Sequence, residues 1–396
     1  MGESGIFKFM NRVLIRYHEV ALKKGNRPYF VELLKKNLSS SVDGLGLKEI
    51  RRLPGRLLLV FDNADKEEIR HRVASVFGVA NFSFVERTPV DLEILKSRIL
   101  ESLNQWHFNS FRIDTKRGDK MYPLTSPEIN REVGHAVKAI SGARVDLKNA
   151  ELTVSIEILP RDAFFGFDKI PGAGGLPVGA SGRVVSLISG GIDSPVAAYR
   201  MMQRGCRLDF VHFHSTPYLD KTSQKKVQEL VSILTRHQFS SHLYLIPFGE
   251  IQRQIVATVF RPLRVVLYRR MMVRIAESIA SRGKASALVT GESLAQVASQ
   301  TLQNLAVIEK AATVPILRPL VGMDKQEIVD QAKRIGTFEV SAIPDQDCCQ
   351  LFVPRHPATK ANLAEVEKAE SRLDLPALTN LGVENAEVKE FRSPLS

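Results

Sequence analysis

Cysteine is scarce in this chain: three residues in 396, at Cys206, Cys348 and Cys349. That excludes a disulfide framework and leaves packing, ligation or thiol chemistry as their uses. No uninterrupted apolar run is long enough to span a bilayer, and the N-terminal MGESGIFKFMNRV lacks a secretory pattern. The cytoplasm is therefore the expected compartment, with no membrane partner. No internal repeat and no low-complexity block is present, which excludes a repeat array.

What is present fits a soluble globular protein, with 44% hydrophobic and 25% charged residues. The length exceeds one ordinary core, so two or three domains are expected. The formal net charge is +12, which favours polyanionic partners, nucleic acid first among them. Residues 1–180 carry 28 basic and 22 acidic residues and residues 181–396 carry 27 and 21, so each half is +6. Charge alone suits a generally basic enzyme equally well.

Pattern separates the chain further. Residues 12–61 read as a strand (RVLIRYHEV), a basic turn, a helix (PYFVELLKKNLSSSV) and two strands (EIRRLPGRLLLVF). A boundary is expected at 63/64, giving a small α+β domain over 1–63 and a second over 64–169. In the second, helices are expected near 65–77 and 91–105. The strand FRIDTKR then leads through a basic loop to a helix capped by Thr125 or Ser126. Lys116, Arg117 and Lys120 at that strand exit are either solvated loop charges or phosphate-backbone contacts. Residues 170–183 include PGAGGLPVGASG, dense enough in glycine and proline to read as a linker or flap.

From 184 to 396 strands and helices alternate. Strands are expected near 184–188, 208–213, 242–246, 286–290 and 314–317. Helices are expected near 195–204, 222–238, 250–260, 264–282, 294–304 and 324–335, the last with a capping box from Asp324 to Glu327. This is the pattern of an α/β doubly wound parallel sheet, whose ligands sit at the carboxyl ends of its strands.

The loop after the first strand of that sheet reads SLISGGIDSPVAAYR, residues 186–200. Ser189, Gly190 and Gly191 permit a sharp turn close to an anion, while Ser194 can cap the helix and Pro195 suits its first turn. The lysine of the common GxxxxGK[ST] nucleotide loop is missing. Asp193 beside a phosphate is repulsive unless a cation or a reacting group lies between them, or it is a local cap. His212 and His214 share one strand face. Lys325 starts a helix, where a cation opposes the macrodipole. The adjacent Cys348 and Cys349, in IPDQDCCQLFVPRHP, suit a polar loop better than an element interior, and an accessible loop is where a thiolate nucleophile belongs. Cys206, at a helix end before an apolar strand, reads as structural.

SGGIDS matches the SGGxDS signature of the PP-loop ATP pyrophosphatases. Together with GAGGLPVG, FVHFHSTPY, RRMMVRIAESIA, TGESLAQVASQTLQNL, RPLVGMDKQEIV and IPDQDCC, it resembles the tRNA 4-thiouridine synthetase family, or tRNA sulfurtransferases. RYHEVALKKGNR resembles that family's ferredoxin-like domain, and FRIDTKRGDKMYPLTSPEINREVG its RNA-binding THUMP domain. The likeness spans nearly the whole chain in the family's order.

The resemblance implies that Leu187, Ile188, His212 and Phe213 border the adenine and ribose of ATP. It further implies that Ser189, Gly190, Gly191, Asp193 and Ser194 bind its phosphates with Mg²⁺, and that Arg269, Gly291 and Gln300 complete the site. Asp193, Lys325, Cys348 and Cys349 become the catalytic residues, Cys348 matching the catalytic cysteine better and Cys349 a resolving or packing one. The implied reaction adenylates uridine 8 of tRNA and replaces O4 with persulfide sulfur. Some family members add a C-terminal rhodanese domain carrying the persulfide. Here about forty residues follow the cysteine loop IPDQDCCQLFVPRHP, too few for one.

That departure leaves open whether a cysteine desulfurase delivers sulfur directly or through a separate rhodanese or sulfur-carrier protein. It also leaves open whether the chain serves thiamine thiazole synthesis and whether it forms a homodimer. An iron–sulfur cluster on three cysteines is disfavoured, because adjacent cysteines are awkward ligands for one cluster. The competing readings are another PP-loop adenylating enzyme, such as an ammonia-using synthetase, and a tRNA-binding protein without catalysis. The first needs neither an RNA-binding half nor paired cysteines. The second does not need SGGIDS and Lys325.

Overall fold

The computed structural model describes residues 10–104, 106–344, 352 and 357–393. By internal packing the chain divides into two units, Met1–Gly175 and Leu176–Ser396.

The first unit runs β1 (Met10–Arg16), α1 (Arg27–Ser41), β2 (Leu47–Leu53), β3 (Arg56–Asp62), α2 (Lys66–Ala74) and β4 (Asn81–Phe84). It continues with β5 (Glu86–Thr88), α3 (Leu92–Leu103), β6 (Ser110–Arg117), α4 (Ser126–Ser141), β7 (Arg144–Val145), β8 (Leu152–Ile158), β9 (Ala163–Gly166) and β10 (Ile170–Pro171). Among the described residues these strands form two sheets, in the orders β10-β4-β1-β3-β2 and β5-β9-β8-β6-β7. The first is antiparallel. In the second, β6 lies parallel to β7 and β8, and β9 is antiparallel to β8 and β5.

The unbroken apolar run of β3 follows from burial on both faces. Leu57, Leu59 and Phe61 join the core of α1 and α2, while Leu58 and Val60 pack with Leu14, Leu159 and Phe164 toward the second sheet. Arg16 and Arg56 both reach the buried Glu157 of β8, so the carboxylate between the sheets is neutralised. Helix α4 is capped as its sequence implies, with Thr125 accepting from the Glu128 amide and Glu128 closing the capping box.

The boundary expected at 63/64 falls inside one core. Ile69 and Val73 of α2 and Phe82 of β4 pack with Val31, Leu34 and Leu38 of α1. Asn63, at φ 49°, is a tight left-handed turn within that domain rather than an exit from it. The stretch 170–183 is likewise tied down, not a free flap. Ile170 pairs with Phe82, and the amides of Gly172 and Gly174 donate to the carbonyls of Ala80 and Val79. A side chain at Gly172 would collide with the Val79 carbonyl, so glycine is there for close approach.

The second unit alternates as expected. It comprises β11 (Arg183–Leu187), α5 (Asp193–Gln203), β12 (Arg207–His214), α6 (Thr222–Thr235), β13 (Ser240–Pro247), α7 (Gly249–Thr258) and α8 (Arg264–Arg282). After them come β14 (Leu288–Val289), α9 (Leu302–Glu309), β15 (Ile316–Leu317), α10 (Lys325–Arg334), α11 (Phe338–Ala342), α12 (Leu363–Glu370), α13 (Leu375–Glu384) and β16 (Glu387–Arg392). The sheet order is β15-β14-β11-β12-β13-β16, parallel through β13, with β16 antiparallel at the edge. Val185, Val211, Phe213 and Ile246 present one face to α7, α8, α9, α12 and α13. Helices α5, α6, α10 and α11 pack with one another in the other layer. The fold is the expected α/β doubly wound sheet.

Two elements depart from the sequence reading. The helix expected over 294–304 is instead a turn, with Ala295 at φ 62° and a short 3-10 segment Ala298–Gln300, and α9 starts only at Leu302, capped by Thr301. The polar C-terminal stretch supplies α12, α13 and the edge strand β16.

One buried ion cluster holds α8 to α12. Arg270, 1% exposed, donates from Nε and Nη2 to the two oxygens of Glu370, both at 2.7 Å, and Arg274 adds a third bond at 2.9 Å. Removing the carboxylate strands a guanidinium in the core. Glu370→Ala is expected to destabilise this unit by about 3–5 kcal/mol, read from denaturant unfolding.

Candidate active site

Strand β11 ends at Leu187, and its exit is held by the Ile188 amide donating to the Val211 carbonyl at 2.9 Å. The Nδ1 of buried His212 lies 3.0 Å from the Ile188 carbonyl. Ser194 turns back rather than capping forward: its hydroxyl accepts from the Ser189 amide at 2.9 Å and reaches the Ser189 carbonyl at 3.2 Å. The Gly191 amide lies 3.3 Å from the Ser189 hydroxyl. Helix α5 therefore begins at Asp193, two residues earlier than expected, and no side chain caps it. Uncapped first-turn amides and the helix dipole make this an anion-binding terminus.

Over that terminus lies a cavity of about 560 Å³. Its lining includes Leu187, Ile188, Ser189, Gly190, Gly191, Asp193, Ser194, His212, Phe213, Arg269, Gly291 and Gln300. All twelve positions that the resemblance assigns to ATP thus meet on one surface. Arg269 comes from α8, whose Val265 and Met272 share the cavity face at helical spacing.

Gly291 follows β14 and presses on the start of α5. A Cβ there would stand 2.7 Å from the amide nitrogen and Cα of Ser194 and 2.9 Å from the Asp193 carbonyl carbon. Those are backbone atoms, with no flexible side chain to yield. Gly291→Ala is expected to displace the phosphate turn, cost roughly 1–3 kcal/mol of stability and raise the KM for ATP about tenfold, checked by melting and nucleotide titration.

Asp193 is the electrostatic centre. Burial raises its pKa, partly offset by a hydrogen bond from Gln296 Nε2 to Oδ2 at 3.1 Å and by the charge of Lys325. Its ionised form thus favours a cation nearby. Glu292, the other carboxylate on the cavity wall, is 3% exposed and already engaged, accepting from Arg318 Nε at 2.8 Å and from the Thr290 hydroxyl at 2.9 Å. Asp193, bonded by an amide rather than a guanidinium, suits Mg²⁺, which takes one or two protein carboxylates and completes its shell with phosphate oxygens and water. Gln300 places a buried Oε1 in the wall, with no hydrogen-bond partner among the described residues.

Not every expected residue enters the cavity wall. Lys325 is the first residue of α10, behind the Asp324–Glu327 capping box, and acts on Asp193 through its charge from an exposed position. Cys348 and Cys349 lie outside the described residues. Cys206 is buried, which pushes its thiol pKa up, and serves packing as expected. Burial lowers His214 to about 4, so it is neutral at pH 7.

Gln296 and Glu292 were absent from the expectation. Gln296 fell within a helix that does not form, and nothing in its local sequence marks it as a partner of Asp193.

On the first unit, Arg117 Nη1 donates to the carbonyls of Tyr122 and Leu124, at 3.0 and 2.8 Å, and so shapes its own loop. Lys116 is exposed, and partial desolvation together with the positive charge of Lys169, Arg16 and Arg56 lowers its pKa. Lys120 is exposed.

Comparison with known proteins adds the following. A family model described as "Thiamine biosynthesis protein (ThiI)" matches residues 179–375, the ThiI ferredoxin-like domain matches 12–83, and the THUMP domain matches 90–168. The chain is 47% identical over 378 residues to a "Probable tRNA sulfurtransferase" of Thermus thermophilus, covering 96% of this chain and 93% of the relative. It is 43% identical over 377 residues to a protein of the same description from Moorella thermoacetica, covering 95% and 96%. A crystal structure of a 4-thiouridine synthetase–RNA complex with bound ATP aligns with a TM-score of 0.86 at 34% identity, covering 97% of this chain and all (100%) of that one.

Proposed function

The chain belongs to the ThiI family of tRNA sulfurtransferases, and from that premise we propose that it adenylates uridine 8 of tRNA at the β11–α5 loop and exchanges O4 for sulfur. One observation carries the reading: the uncapped start of α5, with Asp193 in its first turn, opens into a cavity walled by the residues suited to ATP.

In this reading the α5 amides, Ser189, Gly190, Gly191 and Ser194 hold the phosphates. Leu187, Ile188, His212 and Phe213 flank the adenosine, and Arg269 and Gly291 complete the walls. The partnerless Gln300 Oε1 offers an acceptor to the adenine amino group. Mg²⁺, when bound with the nucleotide, supplies positive charge to the phosphates, and Asp193 is the residue that holds it. Lys325 adds charge where pyrophosphate leaves.

The uridine O4 attacks the α-phosphate and pyrophosphate departs. The terminal sulfur of a persulfide on Cys348 then forms the C4–S bond as the C4–O bond breaks and AMP leaves. Cys349 resolves the remaining S–S bond, and an external thiol reduces the resulting disulfide. A cysteine desulfurase, directly or through a separate rhodanese or carrier protein, supplies the persulfide. The same loop would serve thiamine thiazole synthesis, in keeping with the description of the family model. The first unit grips tRNA by shape and backbone, its basic side chains Lys116 and Lys120 toward phosphate.

The deciding experiment incubates purified protein with unmodified tRNA, Mg-ATP, a cysteine desulfurase and cysteine. The expected result is 4-thiouridine by mass spectrometry with matching AMP and pyrophosphate. No thiolated base with ATP unconsumed would overturn the reading.

A further inference from the structure

We propose that Gln296 is a positioning residue for adenylation, holding the Asp193 carboxylate off the first-turn amides of α5 so that those amides stay open to phosphate. The proposal rests on the reading above that Asp193 serves adenylation at this turn.

Gln296 Nε2 donates to Asp193 Oδ2 at 3.1 Å, the one side-chain hydrogen bond to that carboxylate among the described residues. A short acidic side chain at the start of a helix ordinarily turns onto the free amides there. Those amides are the groups that an anion needs. Asp193, the first residue of α5, bonds Gln296 instead, and the helix start is left without a side-chain cap.

The chemical type of the partner matters too. Glu292, on the same cavity wall, is held by the guanidinium of Arg318, which neutralises it. Gln296 is neutral, so its amide fixes the direction of the Asp193 carboxylate and leaves the negative charge in place.

The chain is bent to deliver this side chain. Ala295 takes a left-handed φ of 62°, which a residue with a Cβ keeps only when its surroundings hold it there. The Ala295 amide donates to the Gln300 carbonyl at 2.9 Å and the Leu294 amide to the Val321 carbonyl at 3.2 Å. The Ser293 hydroxyl donates to the Met323 carbonyl at 3.1 Å. Core packing does not account for the bend, since Leu294, Ala295 and Val297 are all exposed. Val321 and Met323 stand just before Lys325, whose charge also acts on Asp193. One tied structure therefore sets both groups that act on the carboxylate.

The test is a double-substitution cycle on the full-length protein, reading pyrophosphate release from Mg-ATP with saturating tRNA. Gln296→Met keeps the length of the side chain and removes the donor. It is expected to lower kcat about tenfold when Asp193 is present and by less than about twofold in Asp193→Ala, because a residue acting through the carboxylate has no effect once the carboxylate is gone. Affinity for Mg-ATP without tRNA, measured by calorimetry, is expected to follow the same pattern, with the KM for tRNA unchanged. Gln296→Glu, which sets a like charge against Oδ2, is expected to fall at least as far. An equal fall in both backgrounds, no fall with Asp193 present, or full activity in Gln296→Glu overturns the proposal. Asp193→Ala that itself releases pyrophosphate at the wild-type rate removes the reading of Asp193, and this role with it.

Discussion

Asparagine in place of Asp193 is expected to lower pyrophosphate release by roughly 100- to 1000-fold, the scale of losing one preorganised electrostatic contact in a dry site. The carboxylate stands in the first turn of an uncapped helix, on a wall whose other acid, Glu292, is held by Arg318. Asparagine keeps the shape and the bond to Gln296 but cannot attract a cation. ATP–pyrophosphate turnover with saturating tRNA measures the loss, and turnover near the wild-type rate would take Asp193 out of the mechanism.

The same substitution is expected to stabilise the unliganded protein at neutral pH. Burial raises the folded-state pKa of Asp193 above the ordinary carboxylate value of 3.8, so the charged form favours unfolding. The carboxyl carries no such penalty below 3.8, where both states are protonated. Stability is lost as pH rises through the raised value, and the neutral amide escapes that loss. A higher melting temperature at pH 7 without ATP, disappearing at low pH, is the expected signature. Activity has the opposite dependence: it falls as pH drops through the raised pKa, and that acid limb vanishes in the variant.

Such coupling of strain and function also separates what the sequence reveals from what it conceals. The parallel sheet was legible because each strand is a short apolar run set off by a helix with its own signals, such as Asp324 and Glu327 at the start of α10 and Gly336 after its end. Those signals act over three or four residues, within reach of a local reading. The phosphate turn was legible for the same reason, being contiguous from Ser189 to Ser194.

What the sequence concealed depends on distant partners. Asn63 reads as a boundary until α2 and β4 are seen to complete the core of α1. The turn at 294–297 has helix-forming residues, yet Ala295 takes a left-handed conformation and its amide bonds the Gln300 carbonyl, placing Gln296 on Asp193. EVKEFR resembles a polar tail because an edge strand needs only one apolar face, and its partner β13 lies about 150 residues away. Lys325, catalytic by resemblance, stands exposed at the first position of α10 and reaches Asp193 through its charge, a relation between distant segments that no local pattern marks.

Serine in place of Cys348 is expected to lower 4-thiouridine formation roughly a thousandfold or more while pyrophosphate release stays within about twofold, since removing a covalent nucleophile removes its whole pathway. The separation follows from where the chemistry resides. Every residue assigned to adenylation lies on β11, the phosphate turn, β12, α8, the 290–300 stretch or α10, and none is a cysteine. A hydroxyl cannot accept sulfane sulfur, because no S–S bond can form and serine is not ionised near neutral pH. Cys349→Ser should instead permit one transfer and then stall, leaving the tRNA linked to Cys348 through a disulfide that an added thiol releases. Single-turnover reactions with persulfide-loaded desulfurase distinguish the two: Cys348→Ser gives neither thiolated base nor adduct, and Cys349→Ser gives a tRNA–protein adduct on a non-reducing gel. If Cys349→Ser abolishes thiolation and Cys348→Ser spares it, the carrier is Cys349 and the roles of the pair reverse. If both variants thiolate normally, the sulfur reaches C4 without the pair, and neither cysteine is catalytic.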